Sequence, residues 1–399
     1  MSHTKATVLL AGLAMGLGGT ALAQTSSLDE ARSFAAETRS DATRATLSQG
    51  AAAGPEVFGR VQFQYNVTII DDPGEGGEDF ANGFQLRRAR LGAKGEAAGI
   101  EYYVQGDFGS SDGVFDLKDF YLKVPVPGME DEATITVGQF KLPFLWEENT
   151  SSSRQMAVNR SFTNDYFAQG RSQGIMLTYA GNEDDDYRAQ VAFSDGFNTD
   201  NTRFDSPMEA DWSIGGRFDY KFSGAWSDFK DFTATQGQEQ ALRVGGAIFY
   251  QSGDGTFATG TGTTMELDLL SVTADAQWEQ NGVGVYGAFI FQDRDMGTAG
   301  DATDVGFVAQ GSYRWSENDE VFARFDYIVS DNNEDLPVLT FGYNHYVFGD
   351  HSAKFTADAF FVLETVNDTD LAGGIPNNGL LPDAGDPQVG LRTSFQFAF

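Results

Sequence analysis

The sequence predicts an all-β fold: about sixteen antiparallel strands closed into a transmembrane β-barrel, with one inward-folded constriction loop and a short N-terminal helical segment. Three observations point there: two-residue alternation through the last residues, an export-type leader, and connections that are short and long by turns. The final strand shows the first. Leu391, Thr393, Phe395, Phe397 and Phe399 alternate with Arg392, Ser394, Gln396 and Ala398, the lipid-out, lumen-in dyad of a barrel strand. A soluble sandwich strand also alternates, so the other two observations decide.

The first residues read as a secretory signal. Lys5 supplies the positive start, Val8 to Gly19 a short apolar stretch, and Ala21-Leu22-Ala23 a small-x-small cleavage site before Gln24. The stretch is too short and too Gly-broken for a spanning helix. The signal is therefore assigned to residues 1–23. No other segment offers about 18 consecutive apolar residues, which excludes an α-helical membrane protein. The chain has no cysteine, and an exported chain without disulfides fits a fold held by strand pairing. Gly is 47, Phe 34 and aromatics 13%, yet hydrophobic residues are only 41%, the mixture expected when one residue in two faces lipid. The net charge of −32 becomes −33 without Lys5, which argues against nucleic acid or anionic membrane surfaces as partners. Many of the acids fall in loop-like stretches: Asp71-Asp72, Glu183 to Asp186 and Asn332 to Asp335.

Residues 24–56 form a separate leader and linker. Leu28, Ala31, Ala35, Thr38, Ala42 and Ala45 recur at helical spacing after Ser26 and Ser27, either of which can cap the helix. The segment reads either as a flexible periplasmic leader or as a helix that associates with copies of itself or another envelope component.

From Val57 to Phe399 the period is two. Strands are expected at 57–70, 83–96, 100–108, 115–124, 133–142, 173–180, 187–194, 212–222, 241–251, 264–279, 282–293, 304–315, 319–330, 335–348, 351–364 and 387–399, an even number as a bacterial single-chain barrel requires. Ile214, Gly216, Phe218, Tyr220 and Phe222 form one outward row; Val305, Phe307, Ala309, Gly311, Tyr313 and Trp315 form another; Phe355, Ala357, Ala359, Phe361 and Leu363 a third. With a periplasmic N-terminus, every second connection must be a short turn. Residues 97–99, 125–132, 181–186, 280–281, 316–318 and 349–350 fit that set, while 71–82, 143–172, 195–211, 252–263 and 366–386 make the long set. The exception is 223–240, long where a turn is expected. A soluble sandwich has no reason for such parity, and a closed barrel pairs every backbone group in lipid.

Signals for covalent chemistry are poor. There are three histidines, His3, His345 and His351; no metal-ligand spacing, phosphate loop or nucleophile elbow accompanies them. His345 lies near Asp350, as chance pairs do. No acidic cluster has the spacing of a dedicated Ca²⁺ loop. No cofactor, metal site or enzyme activity is expected.

The informative constellation is cationic. In the second strand, Ala89, Leu91 and Ala93 occupy one face and Arg88, Arg90, Gly92 and Lys94 the other. A charge on the lipid face costs about 2–4 kcal/mol at midplane, so the Arg row must face the lumen. Fixed lumenal cations attract anions, and arginine's planar fork suits phosphate. The alternative is that Glu101, Asp107 or Asp116 neutralises them. The long connection 143–172 carries Arg154, Arg160 and Arg171, opposed by Glu147, Glu148 and Asp165, with Phe144, Trp146, Phe162, Tyr166 and Phe167. Its length marks it as functional and its aromatics suggest packing, either as a constriction or as an external cap.

The segments Phe84 to Gly95, Val137-Gly-Gln-Phe-Lys-Leu-Pro-Phe144 and Gln169-Gly-Arg-Ser-Gln-Gly-Ile-Met176 resemble the phosphate-selective porin O and P family. The motifs cover about residues 84–176; the later strands match in pattern and number. The resemblance implies a sixteen-stranded, trimeric channel in the bacterial outer membrane, surrounded by its lipids, passing small anions such as phosphate. Carried over by position, Arg88, Arg90 and Lys94 would line the lumen, Lys141 would sit at the base of the constriction loop and Arg171 at its exit. Arg154 and Arg160 join them through loop membership alone. Two features depart from that pattern: the second half has scattered Arg217, Arg243, Arg314, Arg324 and Arg392, and the chain is strongly acidic. Two other readings stay open: a general or cation-preferring porin, and a structural barrel that anchors the envelope through residues 24–54.

Overall fold

The computed structural model describes residues 54–70, 80–109, 114–206, 209–255, 265–297, 300–331, 335–364, 378–381 and 387–399. The expected signal and helical leader lie outside them. The chain forms β1 (Glu56–Ile70), β2 (Phe80–Ala97), β3 (Ile100–Asp107), β4 (Asp116–Pro125), β5 (Ala133–Lys141), β6 (Arg171–Ala180), β7 (Tyr187–Ser194), β8 (Trp212–Ser223) and β9 (Ala241–Ser252). The two-residue strands β10 (Asp254–Gly255) and β11 (Met265–Glu266) pair only with each other. Then follow β12 (Asp268–Gln280), β13 (Val283–Asp295), β14 (Asp301–Arg314), β15 (Asp319–Ser330), β16 (Leu336–Tyr346), β17 (Ala353–Val362) and β18 (Gln388–Ala398). Among the described residues, all strands but β10 and β11, sixteen in number, close into one antiparallel barrel, sealed by β18 against β1. Each strand expected from the sequence is present.

The burial pattern is inverted relative to a soluble domain. Phe63, Phe84, Phe193, Phe218, Ile248, Phe289, Phe341 and Phe395 stand exposed on the outside, whereas Gln62, Gln64, Asp219, Arg243, Asp326 and Arg392 are buried inside. Alternation at period two produces both sets on the same strands. The expected rows Ile214–Phe222 and Phe355–Leu363 point outward.

The parity of connections holds. At the end where β1 begins and β18 finishes, Asn281 and Gly282 close a tight turn between β12 and β13 with φ of 47° and 84°, the left-handed pair that an Asn-Gly hairpin supplies. The exception, residues 223–240, is long because it folds onto the barrel's inner wall. Trp226, Phe229 and Phe232 are buried, and Phe232 meets Tyr286 of β13 at 4.8 Å. Backbone bonds join Thr235 and Gln238 to the Asn281-Gly282 turn.

Candidate functional site

A bulge sets the cationic wall. β1 pairs with β2 in register through Gln62 and Arg88, then skips a residue so that Phe63 faces Leu86. Arg87 is the extra residue. Strict alternation would turn Leu86 to the same side as Arg88; instead Phe84 and Leu86 are 73% and 44% exposed on the outer face while Arg88 is buried within. The bulge lets three arginines of a four-residue stretch serve one face, which is the re-aiming function of such irregularities. Arg87 has Arg90, Arg160 and Asp165 as electrostatic neighbours, so it belongs to the same cluster.

Around this wall the structure gathers Arg60, Arg87, Arg88, Arg90, Lys141, Arg160 and Arg171. Arg90 Nε donates to Asp107 at 2.7 Å, and Asp107 also accepts the N–H groups of Ala89 and Gly109. Arg171 holds Asp119 with both arms of its fork, at 3.0 and 2.9 Å. Lys141 and Arg160 share Glu148, at 3.1 and 3.2 Å. Arg160 also donates to the carbonyls of Glu147, Glu148 and Thr150 and so ties the loop to itself. Three cations differ. Arg60 donates to Ser152 Oγ at 2.8 Å and Arg88 to Gln62 Oε1 at 2.8 Å. Among the described residues, neither they nor Arg87 have a carboxylate within ion-pair distance.

Of the residues singled out from sequence, Arg88, Arg90, Lys141, Arg160 and Arg171 therefore meet. Lys94 does not join them: it stands half-exposed at the end of β2, 3.1 Å from Glu56. Arg154 is also apart, 3.5 Å from Asp231 of the 223–240 connection. Of the carboxylates considered as neutralisers, only Asp107 takes a member of the row; Glu101 faces Lys123 at 3.9 Å and Asp116 pairs with Lys118. His345 pairs with Asp319 rather than Asp350.

The opposite wall holds the loop. Residues 142–170 contain α1 (Trp146–Asn149) and α2 (Phe162–Phe167), the latter capped by Ser161 accepting from the Asn164 N–H. Trp146 plugs into a network of Arg217, Arg243, Asp219 and Asp275; Arg243 lies 3.6 Å from its ring centroid and Gln277 accepts its N–H at 3.0 Å. Farther along, Arg324 donates to the Asn159 carbonyl, Asp358 accepts the Val158 N–H, Lys354 donates to the Gln155 carbonyl and Asp326 accepts the Thr163 N–H. Phe162 meets Phe360 edge-on at 5.4 Å. The loop thus packs on the inner faces of β8, β9 and β12 to β18. Burial pushes the Glu147 carboxyl up, to about 7, against the hydrogen bonds it accepts from Ser161. Burial acts on Glu148 likewise, but Arg160 and Lys141 outweigh it and hold that carboxyl below the usual range.

What the loop leaves open is a cavity of about 590 Å³ between Asn149, Ser151 and Ser152 on one side and the inner faces of β1 to β7 on the other. Arg60, Arg90, Lys141 and Arg171 line it, as do Glu130, Asp131 and Glu132 at the turn between β4 and β5. On the loop's own wall Arg217, Arg243, Arg294, Arg324 and Arg392 each face an aspartate, whereas Lys221, Arg314 and Lys354 donate to backbone carbonyls. Charges facing the cavity are in cationic excess.

Sequence reasoning passed over Arg60 and Arg87 and gave the later arginines no role. Arg60 was legible as the head of an inward row with Gln62 and Gln64. Arg217-Phe218-Asp219 and Arg324-Phe325-Asp326 repeat one pattern, an inward ion pair two residues apart with an outward Phe between. Arg87 carried no signal, because alternation assigns it to the lipid face.

Residues 57–359 match the family described as phosphate-selective porin O and P. Among solved structures, the fold is similar to an anion-selective porin from Comamonas acidovorans, with 15% identity, a TM-score of 0.61, and coverage of 87% of this chain and 99% of that one. The trimer form of OmpT, an outer membrane protein of Vibrio cholerae, matches at 11% identity and TM-score 0.53 over 86% and 99% of the two chains. Salmonella typhi OmpF in complex with daunomycin matches at 15% and 0.54 over 86% and 97%. No curated protein matches the chain.

Proposed function

Because the chain belongs to the phosphate-selective porin O and P family, and is thus an outer-membrane porin channel, we propose that it passes small anions in preference to cations, with phosphate the leading permeant. One observation carries this: among the described residues, Arg60, Arg87 and Arg88 have no carboxylate at ion-pair distance, and Arg60 opens onto the cavity the loop leaves. Arg90, Lys141, Arg160 and Arg171 add four positive charges against three negative ones on Asp107, Glu148 and Asp119. A permeating anion replaces water contacts with guanidinium donors there, and a phosphate can take two oxygens on one fork. In this reading residues 142–170 are the constriction, Arg160 holds its shape, and Arg154 and Lys94 act at a distance from the narrow part.

A homotrimer fits the wall heights. β3 and β7 have 8 residues each, against 13 for β13 and 14 for β14. Eight residues tilted about 40° rise about 20 Å, short of an apolar band about 25 Å tall. A neighbouring copy over β3 to β7 would cover that deficit, and OmpT has a trimer form. Export through the signal at residues 1–23 completes the reading.

The test is the reversal potential of the purified protein in a planar bilayer under a KCl gradient, with phosphate then added. Anion preference and loss of chloride current at millimolar phosphate support the proposal. Cation preference would favour the second reading, a general porin ruled by the carboxylates at 130–132.

A further inference from the structure

The cavity is larger, and less uniformly polar, than an inorganic ion requires. Its volume of about 590 Å³ falls within the range of about 300–1,000 Å³ typical of sites that enclose organic ligands. Its wall carries two tyrosines. Tyr103 of β3 lies beside Lys94 and Tyr121 of β4 beside Tyr103 in the strand register, so both share the inward face of the cationic row. Their rings stack at 5.2 Å with planes 6° apart. Phe58 of β1 extends the row, 5.2 Å from Tyr103. To do so it crosses β2 at Gly92, where a Cβ atom would come within 2.3 Å of the Phe58 ring. Gly92 is therefore the one position in the Arg88–Lys94 row that must lack a side chain, and its absence is what lets an aromatic row run unbroken over four strands. Tyr103 and Tyr121 share the cavity with Arg60, Arg90, Lys141 and Arg171.

Resting on the anion reading above, we propose that this cavity is a binding site for organic anions that carry their charge on a flat ring, of which aryl phosphates are the simplest class. The charged group sits among Arg60, Arg90 and Arg171, and the ring packs against Tyr103 and Tyr121. Inorganic ions use only the first half of the site. A ring-bearing anion uses both, and one good aromatic contact strengthens binding about tenfold.

Methyl phosphate and phenyl phosphate separate the two halves, since they share a charged head and differ in the ring. Each is titrated against the chloride current of the full-length protein in planar bilayers, with the reversal potential recorded in the same membranes. The expected result is block by phenyl phosphate at about tenfold lower concentration than methyl phosphate. In the Tyr103→Leu/Tyr121→Leu variant that ratio falls to near one, and in Tyr103→Phe/Tyr121→Phe it is kept. Equal block in the wild type, or a ratio indifferent to the Leu variant, overturns the proposal. If the membranes show anion preference but neither ester blocks, the ring site falls and the anion reading stands. Cation preference removes both.

Discussion

Replacing Arg60 by Gln tests the cationic excess where its effect is easiest to compute. The glutamine amide can still donate to Ser152, and no carboxylate among the described residues loses a partner, because none lies at ion-pair distance from Arg60. The change therefore subtracts one positive charge from the cavity wall and little else. A unit charge about 6 Å from a permeant ion is worth about 0.7 kcal/mol in water and about 3 kcal/mol at an effective dielectric constant of 20. Loss of that attraction for an anion, with equal relief of repulsion for a cation, moves the anion-to-cation permeability ratio by about 1.4 kcal/mol at the lower limit, or about tenfold. The assay is the reversal potential at about 0.1 M salt, where the screening length is about 10 Å; at 1 M it falls to about 3 Å and the effect shrinks with it. Asp119→Asn is the counter-test. It releases Arg171 from its bidentate partner and strengthens anion preference by a similar factor. If Arg60→Gln and Asp119→Asn both leave the ratio unchanged at low salt, local wall charge does not set selectivity and the reasoning fails.

Trp146→Ala removes a buried side chain that holds the loop through Gln277 and Arg243; a loss of about 3–5 kcal/mol is expected, seen as a lower unfolding temperature and a larger, noisier single-channel conductance. Phe289→Lys, at an outward position midway along β13, should cost about 2–4 kcal/mol of folding in lipid, whereas Phe289→Leu should cost less than about 1.5; refolding yields into vesicles separate the two, and equal yields would refute an outward, lipid-facing position. Asp231 joins the 223–240 connection to Arg154 of the loop and to His351. Burial raises its pKa, but His351, the Thr233 N–H and Arg154 more than offset that and leave it below its ordinary 3.8. A depressed carboxyl stabilises at pH above its ordinary value, and that contribution is lost only as pH falls through the depressed one. The clasp should hold until pH drops below 3.8, so current noise in the wild type should rise only there, while Asp231→Asn is noisy throughout; identical pH profiles would count against the clasp.

The barrel was legible because its information is local. Every strand declares its two faces through alternation, and turn length declares which end it lies at. Residues 223–240 broke the parity, and the reason is visible in the same residues: Trp226, Phe229 and Phe232 give a turn an apolar surface that water does not solvate, so it folds inward. The pairing of charges was not legible. Arg90 takes Asp107 because β2 and β3 align these two residues, and Arg243 takes Asp219 and Asp275 because β9 lies between β8 and β12. Register is fixed by the whole closed sheet, so no window of sequence contains it. Arg87 shows the limit most plainly, since a single inserted residue reverses the side to which alternation assigns Leu86 and Phe84.

The same distinction shows how an acidic chain can carry the anion preference proposed above. A net charge of −32 sums every carboxylate, including those of the turns at 183–186 and 130–132. An ion in the lumen does not feel that sum. Beyond about 8 Å at physiological salt, exposed charges are largely screened, whereas charges in a partly desolvated wall act at full strength over the ions beside them. Of the carboxylates beside the row, Asp107 is committed to Arg90 and two backbone N–H groups, Asp119 to both arms of Arg171, and Glu148 to Lys141 and Arg160, which leaves Glu130, Asp131 and Glu132 at the β4–β5 turn as the acids that face the cavity. Acids at the entrances slow the approach of anions and lower their local concentration, which affects conductance. In the proposed reading the choice between anion and cation is made at the cavity wall, where Arg60, among the described residues, has no carboxylate at ion-pair distance.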